Sequence, residues 1–375
     1  MDNSTTNQNA EQIKKEVINL FSEQKFDEVI DKLKTLVQLD YPWGMHYLAG
    51  CYSNGHGVEI NPEISNQLYI KAAEKGFVDS QAVLGHKYLF GFQINQDIKK
   101  GMEFLKLAAA KNSAYSNFLL AGQYLAGNSE TVKDTRVGLI FMEKAAELGE
   151  HRAKQRLAYF YYKGIFVEQD LIKSLKLNIE AADLGNEFAA FNAGNAFKYG
   201  EGTEVDFKKA LYYFQIAADM NIVMAMHNLG ALYYNGQGTE KDMDKAHHWY
   251  LRAANFGSHL SSLCLSDMDK KGDRYKKNIS TAIVWCLIAI EQKNLDAINE
   301  LENLKKDLTD DDKNGVIFYL TAFAEKGLFW AQSALSKVYQ AGFFCEVDID
   351  SARKWNTEAE KSSLKEQDLF TAQNQ

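Results

Sequence analysis

The chain has 375 residues, of which 46% are hydrophobic and 25% charged, with a formal net charge of −8. That acidic balance argues against a dedicated nucleic-acid binder, which needs a basic face to displace counterions from phosphates. No window reaches the ~18 uninterrupted apolar residues of a membrane span, and the opening MDNSTTNQNA lacks the basic and apolar regions of a secretory signal.

A soluble cytoplasmic protein without direct membrane insertion is therefore expected. Only two prolines occur, which suits a chain made mainly of helix. Residues 1–10 are polar and expected to be disordered. Residues 11–43 contain EQIKKEVINLF and KFDEVIDKLKTLVQL, an amphipathic hairpin placed to cap whatever follows.

From residue 44 the sequence repeats. Gly55, Gly91, Gly127, Gly164, Gly200, Gly236 and Gly272 follow one another at intervals of 36 or 37 residues, and Gly342 falls about two periods later. Counted from each glycine, leucine recurs at −7, a small residue at −6, an aromatic ring at −3 and a small residue at −11. Offsets of −11, −7 and −3 mark one face of an α-helix. Beyond the glycine a second helix carries Lys-Ala and then a paired alanine, as in Lys245-Ala246 and Ala253-Ala254. It stops at Gly76, Asn112, Gly149, Gly185, Asn221 or Gly257, residue types that tolerate the left-handed C′ conformation. Each unit is thus a helical hairpin that must stack on neighbours to bury its apolar face. Copies run through 44–294, the seventh degenerate, with Asp269 in place of the ring. Residues 295–330 form a hairpin outside the pattern, with Thr309 or Asp310 as N-cap; an eighth copy occupies 331–363 and a polar tail 364–375.

Leu229-Gly230, Tyr233, Gly236-x-Gly238, Asp242, Lys245-Ala246, Trp249-Tyr250, Ala253-Ala254 and Gly257 together resemble a complete Sel1-like repeat, a relative of the tetratricopeptide repeat. The resemblance implies an all-α, right-handed solenoid of stacked helix-turn-helix repeats. For soluble bacterial relatives it implies an interaction factor: an adaptor, a regulator, or a protein bound to a secretion-system effector or host target. Cysteine-rich relatives are described as binding or hydrolysing β-lactams, but Cys51, Cys264, Cys286 and Cys345 show none of their pairing within repeats.

The sites that look chemical have structural explanations. Gly236-x-Gly238 follows a helix rather than a strand, lacks the Lys-Ser/Thr of a phosphate loop, and recurs as Gly55-x-Gly57 and Gly200-x-Gly202; these are turns needing positive φ. Asp97, Asp170, Asp206, Asp242 and Asp348 fall where second helices begin and are expected to be caps. His247 and His248, adjacent on a helix, diverge by about 100° and do not share one ion. No catalytic residue, metal or cofactor is expected, and the protein is expected to act as a monomeric scaffold.

Partner contact is expected on the concave side, from first-helix offsets −12, −9, −8, −5, −2 and −1. In the middle copies these offer Arg152, Arg156, Tyr159 and Tyr162; Phe191, Asn192, Asn195 and Tyr199; and His227, Asn228 and Tyr234. Tyrosine, arginine and asparagine suit an interface. An amide both donates and accepts, so Asn192 and Asn228 would hold the backbone of a protein or extended peptide, with the arginines meeting an acidic residue. The second and third copies present a more apolar trough, including Val83, Phe90, Phe118, Leu119 and Leu125.

Overall fold

The computed structural model describes residues 3–373, which hold helices and no strand. The chain divides into two compact units, one ending at Asn186 and the other beginning at Glu187. Unit one contains α1 (Asn3–Ser22), α2 (Phe26–Gln38), α3 (Pro42–Asn54), α4 (Pro62–Glu74), α5 (Val78–Phe90), α6 (Ile98–Ala110), α7 (Ala114–Ala126), α8 (Thr135–Glu147), α9 (His151–Lys163) and α10 (Leu171–Asp183). Unit two contains α11 (Glu187–Tyr199), α12 (Phe207–Asp219), α13 (Val223–Asn235), α14 (Met243–Asn255), α15 (His259–Lys271), α16 (Ile279–Glu291), α17 (Asp296–Leu304), a 3-10 turn at Lys305–Asp307, α18 (Asp310–Glu325), α19 (Phe329–Ala341) and α20 (Ile349–Gln373). Each unit is an all-α repeat solenoid: first and second helices pair as hairpins, and each second helix leans on the next first helix of its unit.

The punctuation marks do what their chemistry allows. Both prolines, Pro42 and Pro62, sit in the first turn of a helix, where a missing N–H costs nothing. All eight loop glycines have positive φ, between 66° and 77°, as do Gly76, Asn112, Gly149, Gly185, Asn221 and Gly257 at the second-helix ends. Gly127 pairs this with an extended ψ of 158°, where the third copy carries its one-residue insertion. The aspartate caps form: Asp242 accepts from Lys245 N at 2.9 Å, and Asp97, Asp170, Asp206 and Asp348 do likewise. Asn61, Asp134 and Asn278 cap the remaining hairpins in the same way.

One backbone bond recurs in every copy. The N–H of the capping residue donates to the carbonyl of the −3 residue, from Asn61 to Tyr52 at 2.8 Å through Asp348 to Tyr339 at 3.0 Å. It latches the loop across the hairpin and needs no particular side chain at −3. The degenerate seventh copy therefore keeps it, Asn278 N to Asp269 O at 2.9 Å. In the second copy the ring lies under a lysine and against a second ring, Lys100 4.8 Å above Tyr88 and Phe104 stacked on Tyr88 at 4°. Phe197 is held the same way by Lys209 and Tyr213. In the seventh copy all three positions change together: Asp269, Thr281 and Trp285, with Thr281 and Trp285 hydrogen-bonding the aspartate.

Small residues at −6 admit the second helix. A Cβ added to Gly194 would lie 2.6 Å from the Phe214 ring, and one on Gly230 2.6 Å from Tyr250. In three copies where that residue is alanine or serine, a side-chain hydroxyl ties the hairpin instead: Ser174 to the Ala158 carbonyl, Ser266 to the Ala282 carbonyl and Ser336 to the Ala352 carbonyl, each 2.8 Å.

Both ends continue in helices. Residues 3–10, expected to be disordered, lie within α1; Ala10 and Val17, one face of that helix, are buried against α2 and α3, and this anchor carries order toward the N-terminus. At the other end the segment after 363 continues α20 to Gln373, in line with the anchored Trp355 and Ala359. Residues 1–2 and 374–375 lie outside the described residues. Between the seventh and eighth copies, α17 and α18 both pack on α16, and Thr309 is the N-cap of α18, with Asp312 completing a capping box.

Candidate partner-binding surface

The expected contact positions do not share one environment. On a helix turning about 100° per residue, offsets −12, −8, −5 and −1 fall within an arc of about 60°, while −9 and −2 lie to its other side, toward the small residue at −6. Exposure follows that division. Phe188 and Met224 at −12 are 55% and 48% exposed, Tyr159 at −5 is 47%, and Tyr199 and Phe90 at −1 are 62% and 54%.

The −9 residues are instead part of the packing. His227 Nδ1 is 2.9 Å from Ser261 Oγ, and its ring lies 5.5 Å from Tyr250; burial, reinforced by Lys198 and His259, lowers its pKa. The first copy has the same arrangement, His46 bonded to Ser80 at 2.9 Å and 5.3 Å from Tyr69. Phe191, also at −9, packs 5.9 Å from Phe214. The two histidines join one repeat to the next, and Phe191 packs within its own hairpin. At −2, the Tyr234 hydroxyl donates to Asp273 at 2.6 Å, and Tyr162 is partly buried.

Asn192 and Asn228 also part company. Asn228 is buried, and its amide oxygen accepts from Lys198 Nζ at 3.0 Å. It is a helix-to-helix brace, not an open clamp. Asn192 and Asn195 are partly exposed on α11 and make no side-chain hydrogen bond among the described residues. In unit one, Glu150 takes both Nε and Nη2 of Arg152, at 2.7 and 3.0 Å, and the guanidinium rests 5.0 Å from both the Tyr115 and Phe118 rings. Burial pushes Glu150 upward, but the guanidinium outweighs it and holds the carboxyl below its usual range. Arg156 and Tyr159 stand exposed one and two turns along the same helix.

Two features stayed invisible in the sequence: Lys198 as the partner of Asn228, and the difference between −9 and −8. Both follow from which side the neighbouring repeat approaches. The serine at −11 of the next copy, Ser80 or Ser261, is the one signal that pointed to a bonded histidine.

Chemistry elsewhere is muted. Among the described residues no group of histidine, cysteine and carboxylate side chains is placed to hold a metal, and all four cysteines are free thiols. No helix among the described residues is long and apolar enough to cross a membrane. His247 accepts from, or lies against, Arg274 Nη1 at 3.1 Å; burial and that cation lower its pKa to about 4. The unfolded chain therefore takes up a proton near pH 6.5 that the folded one refuses until about pH 4. Stability is expected to fall as pH drops across that window, and His247→Gln, which keeps an acceptor for Arg274, to flatten the fall in urea midpoints measured from pH 7 to 4.

Comparison with known proteins agrees with this architecture. The Sel1 repeat model matches residues 44–77, 78–113, 114–150, 151–186, 188–222, 223–257, 267–294 and 331–359, more than half the chain; the seventh match begins late, within α15. A Sel1 repeat protein from Oxalobacter formigenes is 27% identical, with a TM-score of 0.58 over 64% of this chain and 98% of that one. The protective antigen c5321 of uropathogenic Escherichia coli, which displays an SLR fold, is 22% identical, with a TM-score of 0.51 over 88% of this chain and 79% of that one.

Proposed function

Because the chain belongs to the Sel1 repeat family, we propose that it is a non-enzymatic, monomeric scaffold that holds a protein or extended peptide on the open arc of its first helices. The observation that carries this reading is α11. It sets Phe188 and Tyr199 more than half exposed at its two ends, with the unbonded amides of Asn192 and Asn195 between them. Leaving such rings in water forgoes burial that folding would otherwise use, and rings beside amides are what a protein interface draws on. Arg156 and Tyr159 on α9 extend the same choice of residue types in unit one. Similarity to the Sel1 repeat protein from Oxalobacter formigenes supports a bacterial origin.

Affinity capture from lysate with mass spectrometry tests the reading. Asn192→Ala/Asn195→Ala is expected to lower recovery of the captured protein about tenfold or more, since two amide contacts are each worth ~1 kcal/mol. Turnover of a chromogenic β-lactam with capture unchanged would contradict it.

A further inference from the structure

Helix α7 carries a glycine that its packing does not use. Gly122 sits inside the helix, yet a Cβ placed there would meet no heavy atom within 4 Å. Three other helix-interior glycines of unit one are forced: a Cβ on Gly85 would meet Leu105 at 2.6 Å, on Gly101 the Leu89 backbone at 2.8 Å, and on Gly138 Leu125 at 2.7 Å; Gly50, at the equivalent place in the first copy, would still touch the Tyr69 hydroxyl at 3.5 Å. Glycine weakens a helix relative to alanine, so Gly122 costs stability without a steric return. It occupies offset −5, within the open arc, where the copies on either side carry His86 and Tyr159. The result is a low point between two bulky positions.

The surroundings give that low point a chemistry. One turn before it, Phe118 lies under the Arg152 guanidinium, which also covers Tyr115; Tyr115 in turn is 6.0 Å from His86, and His86 4.9 Å from the exposed Phe90. Glu150 satisfies Arg152. Arg156, one turn further along α9, is exposed and makes no ion pair or hydrogen bond among the described residues. In a chain of net charge −8, an exposed, unpaired guanidinium one turn beyond the ring-covering Arg152 is complementary to a carboxylate.

We propose that this face of unit one, with Gly122 as its floor, seats a bulky apolar side chain from a segment of a partner protein whose neighbouring carboxylate pairs with Arg156. The assignment rests on the scaffold reading above and adds the partner's chemistry to it. Exposed rings supply contact area for the apolar group, and the missing Cβ supplies depth.

The test uses the full chain on an array of octapeptides, each pairing one Phe, Leu or Ala with an Asp, Lys or Ser neighbour. Wild type is expected to retain the Phe/Asp and Leu/Asp peptides over the Lys, Ser and Ala ones. Gly122→Leu is expected to lose retention about tenfold or more, while its thermal midpoint stays at or above wild type because a better helix former points into open space. Arg156→Glu is expected to exchange the preference for Asp peptides for one for Lys peptides. No acid preference in wild type, or full retention by Gly122→Leu, overturns the assignment. So does binding of a fluorescein-labelled single-stranded thymidine oligonucleotide that Arg156→Glu abolishes while no peptide is retained. Capture of the lysate partner by Gly122→Leu at the wild-type level would sink this site alone, leaving the scaffold reading to the Asn192→Ala/Asn195→Ala comparison.

Discussion

Gly238→Ala is expected to destabilise the protein by about 2–5 kcal/mol, the sum of a left-handed backbone forced on a residue with a Cβ and of overpacking against main chain. Gly238 has φ of +75°, and its Cβ would stand 2.4 Å from the Phe207 carbonyl oxygen and 2.8 Å from Lys208 N. Those atoms open α12, so the loop of one repeat rests on the second helix of the copy before it. Neither side is a flexible side chain that could swing away. Gly149 is the control: its φ is +91°, but nothing lies within 4 Å. Gly149→Ala should cost only the backbone part, about 1–2 kcal/mol. Urea unfolding followed by circular dichroism measures both, and the excess for Gly238→Ala is the contribution of repeat-to-repeat contact.

Trp285→Ala is expected to cost about 3–5 kcal/mol through the cavity it leaves. A further ~1–3 kcal/mol follows from withdrawing a hydrogen-bond partner from the partly buried Asp269. Trp285 is 2% exposed, packs 5.1 Å from Phe323, and belongs to the core cluster that joins α14, α16, α18 and α19. Burial raises the pKa of Asp269, so the carboxylate is already the strained form, and removing its partner strains it more. Trp285→Phe fills most of the space without the indole N–H and should show the smaller loss alone. No loss in Trp285→Phe would mean that the hydrogen bond contributes nothing and that the three-position change in the seventh copy is a matter of volume.

Most of the architecture was legible because the repeat states it many times. A glycine every 36 or so residues and a capping residue six or seven positions later each correspond to a local event, a left-handed turn and a side-chain oxygen on a helix N-terminus, and both events recur in every copy. The ends were harder. Ala10 is one small residue in a polar stretch, and nothing local says that it touches a core. The surroundings of the proposed contact residues were legible only to the level of a helix face. Asn192 and Asn228 occupy the same offset, yet Lys198 reaches one and no donor reaches the other. That difference depends on a long side chain from a neighbouring helix, which periodicity alone does not register. His227 shows the same limit, since its hydrogen bond is to the serine of the following copy.

The central claim is that partners meet the first helices and not the second. Tyr199 on α11 and Tyr212 on α12 belong to one repeat and are equally open, 62% and 58% exposed. A photo-crosslinking phenylalanine analogue placed at each in turn, with adducts recovered from lysate, separates the two faces without a difference in access. Adducts to a protein partner from position 199, with little from 212, are the predicted result; adducts from 212 in equal or greater yield would contradict it.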